Sequence, residues 1–266
     1  MGRKKLFSGC VILLFWVLWV AITPAEQEPW KEIRGDHFIV FHFGEESFAQ
    51  EVLRKAEQYY KQIGEDLGYE RRADFWQWDK RVKIYVYKTK EDFLKNSGKA
   101  EWSEGYANYT KRTIVSYEWK EDFLESLLPH EITHLIFRDY VGFQGEVPVW
   151  LDEGVAQWEE PAKRKVVRSI MRFYLENGKG YSLEDLMSVD VRNMSARPAV
   201  EIFYVQAASI VDFLIAKYGS DSFIFFCRQL RDGKSIGAAL PFAYPTQMRT
   251  VKEMEEKWEN YINSDS

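Results

Sequence analysis

His130 and His134 stand four residues apart in the stretch His130-Glu131-Ile132-Thr133-His134, and Glu153 follows the second histidine by nineteen residues inside Trp150-Leu151-Asp152-Glu153-Gly154. Residues four apart lie one above the other on a helix, so the two imidazoles can offer nitrogens to one ion. Glu131 is turned by roughly 100° from His130 on the same helix, too far round to be a third ligand but able to lean over the open side of the metal as a base. A tetrahedral catalytic zinc takes three protein ligands and leaves one position open, and two histidines with one carboxylate make such a set. Glu153 is the best carboxylate that the sequence offers.

Both pieces need helices to carry them. Leu127, Leu128, Ile132, Leu135 and Ile136 give the first an apolar face, as for a helix inside a domain, where two histidines and a glutamate without a partner would be costly. Pro129 has no N–H to donate; with Ser126 as the N-cap it falls in the first turn, where donors are unpaired in any case. Trp150, Leu151, Val155, Ala156 and Trp158 recur at helical spacing, with Pro148 where a first-turn proline is tolerated, and predict a second helix with Glu153 in its early turns.

The chain before these helices reads as strands with intervening helices. His37 to Phe43 is aromatic and branched, as in a strand; Phe48 to Leu67 has helical spacing and stops at Gly68; Arg81 to Tyr87 alternates; Glu91 to Lys95 is a short helix; and Gly105 to Tyr117 holds two short strands. His37 and His42 have opposite parity on their strand, which disfavours a second metal site and makes both structural. After the second motif the pattern is helical: Lys163 to Leu175, Ser182 to Met187, Val200 to Tyr218 ending at Gly219, Ser222 to Leu230 ending near Gly233, and Val251 to Ile262. The expected fold is α+β: a small mixed sheet within residues 36–120 packed on a helical half, residues 121–264, with the metal in the cleft between them.

The motif HExxH, eighteen intervening residues and a glutamate inside WLDEG resembles the gluzincin metallopeptidases, above all the bacterial peptidase MA-like domains with their PxWLDEGxAxW segment. The resemblance spans most of the chain after residue 36. It implies a zincin-like architecture, one zinc per chain held by His130, His134 and Glu153, and Glu131 as general base. It also implies that Tyr204, at the start of a helix ending in Tyr218-Gly219, stabilises the oxyanion. The thermolysin-like aspartate four residues past the ligand glutamate is replaced here by Gln157, so the carboxylate that steadies a liganding histidine must come from elsewhere, with Glu159 and Glu160 both open. Gluzincins pair extended substrate with an edge strand beside the zinc helix; Thr113 to Tyr117 is placed in sequence to resemble it, though an ordinary strand is an equally good reading. The glutamate that reads a substrate's free amine in aminopeptidases has no counterpart after Gly105, and Glu104 precedes it, so an endopeptidase is favoured.

Length and composition fit this reading. The 266 residues, 16% of them aromatic, suit one domain with a substantial core, residues 26–266, and show no repeat or low-complexity linker. A net charge of −5 with no basic patch argues against nucleic acid as a partner. Arg3, Lys4 and Lys5 precede the apolar run Leu6 to Ile22, then Thr23-Pro24-Ala25: an export signal, either cleaved or kept as a membrane anchor, which places the domain in the periplasm, in the medium or on the outer side of a membrane. Cys10 lies too early in that run for a lipobox; cleavage after Ala25 would leave Cys227 alone, a buried small side chain that can form no internal disulfide. The expected partner is a peptide or protein substrate, and a membrane only through an uncleaved anchor; oligomeric state stays open. The alternative function is a zinc-site domain that binds envelope or extracellular proteins without cleaving them. The loops around 138–148 and 188–200, free of periodicity, would shape the substrate pocket.

Overall fold

The computed structural model describes residues 29–68, 76–119, 122–144, 146–191, 194 and 196–264; the apolar N-terminal run and the export signal read from it lie outside the described residues. The first half is a five-stranded sheet: β1 (Lys31–Arg34), β2 (Phe38–His42), β3 (Val82–Tyr87), β4 (Gly105–Asn108) and β5 (Thr113–Tyr117), in the order β1-β2-β3-β5-β4. The outer pairs are antiparallel and the inner two parallel, so the sheet is mixed as expected.

Alternation builds it. Phe38, Val40 and His42 on β2, with Val82, Ile84 and Val86 on β3, all point to one buried face. Helix α1 (Glu46–Asp66) lays Val52, Ala56, Tyr59 and Ile63 against that face, and it stops where Gly68 takes a left-handed turn at φ 73°. Helix α2 (Lys90–Ser97), capped by the Thr89 side chain, packs on β3 and β5 and buries Phe93.

Two expectations about the sheet need correction. Thr113–Tyr117 is an interior strand, paired on both sides, and the edge beside the metal-site helix is Gly105–Asn108. The sheet also begins at residue 31, earlier than expected, because β1 is a short, mostly exposed edge strand whose charged sequence Lys-Glu-Ile-Arg carries almost no alternation. His37 and His42 are structural: His37 Nδ1 meets Glu57 Oε2 at 2.7 Å and His42 Nδ1 meets the Gly44 carbonyl at 3.2 Å.

The second half is helical: α3 (Leu128–Val141), α4 (Val149–Trp158), α5 (Pro161–Glu176), α6 (Leu183–Ser188), α7 (Arg197–Arg231), α8 (Ile236–Ala243) and α9 (Val251–Asn263). Helix α7 is broken at Gly219, whose φ of 81° and ψ of 158° leave the helix, so it is the pair of helices the sequence predicts. Ser182 caps α6 by accepting from the Asp185 N–H, as expected from their spacing. Helix α8 was not foreseen: it is short and contains Pro241. The fold is thus α+β, with a small sheet in the N-terminal half and a helical C-terminal half.

Candidate metal centre

Helix α3 carries the two histidines, and its position is fixed at both ends. A π-helical turn, Phe123–Leu127, runs straight into it, and Pro129 sits in the first turn, where its missing N–H costs nothing. Ser126 is therefore not an N-cap; the backbone there is already helical, and its hydroxyl donates to Glu160 instead. Near the other end Asp139 gathers Trp76 Nε1 at 2.8 Å, the Tyr109 hydroxyl at 3.1 Å and Arg112 at 3.2 Å, tying α3 to the turn between β4 and β5. Gly105 completes the fit: a Cβ there would come within 2.5 Å of a Leu127 methyl and 3.0 Å of the Val115 carbonyl.

Helix α4 begins with Pro148 as its N-cap residue rather than in its first turn, and the Pro148 carbonyl accepts from the N–H groups of Leu151 and Asp152. It packs along α7 at very short range. A Cβ on Gly154 would lie 2.8 Å from the Ala207 carbonyl oxygen, so only glycine lets the two backbones meet. That contact sets Glu153 of α4 opposite the segment of α7 that bears Tyr204.

The predicted metal residues come together. His130 Nε2 and His134 Nε2 are 3.1 Å apart, and Glu153 Oε2 lies 3.5 Å from the first and 4.0 Å from the second. With metal–ligand bonds of about 2.0–2.2 Å, the donors around a tetrahedral zinc sit roughly 3.4 Å from one another. Two imidazoles and one carboxylate at this spacing could hold a metal ion, and they are the His, Cys, Asp and Glu group among the described residues that meets that condition.

Two further carboxylates, in contact with the histidines, complete the site. His134 Nδ1 faces Asp152 Oδ1 at 3.1 Å, while Asp152 Oδ2 accepts from Arg138 at 3.2 Å. His130 Nδ1 faces Glu160 Oε1 at 3.0 Å, and that carboxylate also takes hydrogen bonds from Ser126 and from Lys163, the latter at 2.8 Å. Of the pair left open by the sequence, Glu160 is therefore the partner; Glu159 is 1% exposed and makes no hydrogen bond to either histidine. Each imidazole is held through Nδ1, which directs Nε2 at the shared position. Asp152 was not anticipated, although it stands beside Glu153.

The electrostatics favour a cation. Burial works to lower the His130 pKa, but hydrogen bonds to Glu153 and Glu160 and the charges of Glu153 and Glu131 outweigh it and raise the group to about 10. Burial likewise works to raise Glu153, Asp152 and Glu160, yet the adjacent histidines, with Arg138 at Asp152 and Lys163 at Glu160, hold all three below the usual carboxylate range. Glu131, 8% exposed, lies close enough for its charge to act on both His130 and Tyr204. Tyr204 has its phenol pKa raised by burial and then by the charges of Glu153, Glu131 and Glu160, which places it on the same cluster from the α7 side. Its hydroxyl makes no hydrogen bond to the described residues. A cavity of about 80 Å³ beside Glu153, lined by Arg138, Glu146, Val147 and Asp152, opens next to the cluster in the 138–148 loop.

A comparison with curated proteins found no match. The sequence does match the family described as the peptidase MA superfamily over residues 73–264, a span that includes α3, α4 and α7 and hence every residue of the cluster. Members of this family are typically metal-dependent peptidases, and the convergence of His130, His134 and Glu153 is compatible with that. The chain belongs to the peptidase MA superfamily and carries its zincin-like, metallopeptidase-like domain.

Proposed function

We propose that this protein is an exported, zinc-dependent peptidase of the gluzincin type, built as one domain over residues 26–266, that cuts peptide bonds within chains. One observation carries the reading: three donor atoms, His130 Nε2, His134 Nε2 and Glu153 Oε2, converge within 4.8 Å, with Glu131 and Tyr204 beside them. A zinc ion held by those three side chains would supply Lewis acidity to a water and to the substrate carbonyl.

The protein's own groups do the rest. Glu131 takes the proton of the attacking water and passes it to the leaving amine. Tyr204 keeps its proton at neutral pH, because burial and the surrounding carboxylates raise its pKa, and donates it in a hydrogen bond to the oxygen that gains charge. Asp152 and Glu160 hold the imidazoles at Nδ1 throughout. Cleavage within chains is favoured because the edge strand Gly105–Asn108 carries no acid to hold a free amine, and Glu104 before it is engaged by Lys90 at 3.0 Å and by the Tyr117 hydroxyl.

The test is Glu131→Gln. The near-isosteric amide keeps fold and metal but cannot accept the proton, so cleavage of a broad peptide library, read by mass spectrometry, falls by about 10²-fold or more against wild type. Metal analysis gives about one zinc per chain in both. Equal cleavage by the two proteins would refute the role of Glu131, and cleavage by neither, with zinc bound, would leave a non-catalytic binding domain. Export is checked separately: protease added to intact spheroplasts should digest an anchored domain, and protection would contradict the reading of Arg3 to Ile22.

A further inference from the structure

We propose that the outer face of the sheet, over β1, β2 and β3, is a membrane-contact surface that lies in the headgroup region of the bilayer holding the apolar run Leu6 to Ile22. The proposal rests on the reading of that run as an export signal kept as an anchor. Aromatic rings make up the face. Trp30 packs on Phe43, Tyr85 and Tyr87 with ring centres 3.9, 5.3 and 5.1 Å apart, and Phe41 stacks on Tyr85 at 4.9 Å.

Alternation turns these rings away from the core. Phe38, Val40, Val82, Ile84 and Val86 are buried on the side of α1, so Phe41, Tyr85 and Tyr87 point the other way, where they are half-buried. Helix α2 packs on that side of β3 and β5, with Phe93 against Tyr87, Tyr106 and Tyr117. Glu32, Arg34 and Lys83, which share the face by their register, are exposed. Tryptophan and tyrosine gather at membrane–water boundaries because the ring takes the apolar side and the polar tip the wet one. The Trp30 indole N–H and the Tyr85 and Tyr87 hydroxyls take no partner among the described residues and are not buried. Glu32 is paired with Arg34 at 2.8 Å, so Lys83 leaves the strand residues of this face with an excess positive charge, the sign that anionic headgroups attract.

The length of the connection selects this surface. Trp30 is part of the face, and only Thr23 to Pro29 separate it from Ile22. Fully extended, that stretch reaches at most about 29 Å, whereas a globule of about 240 residues is about 45 Å across. The leash is too short for the opposite, helical side to meet the bilayer, and the outer sheet face is the surface nearest the anchor. Helix α3, which bears His130 and His134, packs on α1 behind the sheet. The metal cluster is therefore turned away from the bilayer and takes its substrate from the aqueous side.

The test uses the full chain with Cys10→Ser, which leaves the buried Cys227 as its native thiol, in vesicles of phosphatidylethanolamine and phosphatidylglycerol. A bimane label is attached at Lys83→Cys on the face or at Lys252→Cys on α9, both exposed positions, and lipids spin-labelled at the headgroup quench a label that lies among them. Quenching should be several-fold stronger at Lys83→Cys than at Lys252→Cys. Adding Trp30→Ser to Lys83→Cys should bring it down toward the Lys252→Cys level, with the circular dichroism of the folded chain retained. Equal quenching at the two positions, none at Lys83→Cys in a chain that floats with the vesicles, or a chain that does not float with them would overturn the proposal. So would unaltered quenching in the folded Trp30→Ser variant. A disulfide between two copies at Lys83→Cys, without quenching, would put a second chain on the face instead. Protection of the domain in intact spheroplasts, with the Lys83→Cys quenching intact, would overturn the export reading alone.

Discussion

Gly154→Ala tests how closely α4 and α7 meet. The added Cβ would lie 2.8 Å from the Ala207 carbonyl oxygen and 3.0 Å from its carbon, with a Val211 methyl at 3.2 Å. Both backbone atoms belong to a helix and cannot swing aside as a side chain would. Restoring an ordinary contact of about 3.4 Å means separating the helices by roughly 0.6 Å, an overpacking strain that costs about 1–3 kcal/mol. In a domain of this size that lowers Tm by roughly 2–12 °C, at about 2–4 °C per kcal/mol. The same shift moves Glu153 by more than the roughly 0.2 Å that a metal–ligand bond tolerates. Gly154→Ala should therefore lose zinc affinity by about 10-fold or more, measured by competition with a chelator of known affinity, alongside the calorimetric loss. Wild-type Tm together with wild-type affinity would refute the close approach of the two helices.

The two adjacent glutamates at the end of α4 should behave oppositely. Glu160→Gln replaces the carboxylate that His130 Nδ1, Ser126 and Lys163 share, and chelator competition should show zinc affinity about 10–100-fold weaker; Glu159→Gln should leave it unchanged. Glu159 instead contributes to the pH dependence of stability: burial first, then the charge of Asp66, raise its pKa well above the usual range, with Arg164 opposing. Its contribution is complete below the ordinary carboxylate pKa and is lost as pH rises toward the raised folded value, at up to about 1.4 kcal/mol per pH unit. Calorimetry should find Glu159→Gln close to wild type near pH 4 and more stable than wild type at pH 7.5, and parallel pH profiles would exclude a buried, protonated Glu159.

What could be read in advance divides by range along the chain. The helices of the two motifs were legible because a helix writes its buried face into a short window: Ile132, Leu135 and Ile136 are buried where their spacing puts them, as are Leu151, Val155 and Trp158. The break at Gly219 was legible for the same reason, since one residue without a Cβ is enough to mark it. Strand order was not. Gly105–Asn108 and Thr113–Tyr117 look alike as short strands, and which one forms the edge depends on the pairing of β3 with β5 across an intervening helix and hairpin, a choice no local pattern records.

The partners of the histidines show the same limit inside the site. Asp152 and Glu153 are neighbours, so roughly 100° of helix rotation separates them. Their carboxylates can meet opposite nitrogens of one imidazole only because α4 crosses α3 at that height. Whether Glu159 or Glu160 reaches His130 is decided where the chain leaves α4 and Pro161 starts α5: Glu159 is still in helical conformation at φ −80° and ψ −6°, whereas Glu160 is extended at φ −76° and ψ 113°. That single change of ψ directs one carboxylate to Ser126 and His130 and leaves the other buried away from the histidines. A motif can thus name the residues that would touch a metal, because they share two helices, while the groups that hold those residues steady are chosen by the turn between helices and by the angle at which they cross.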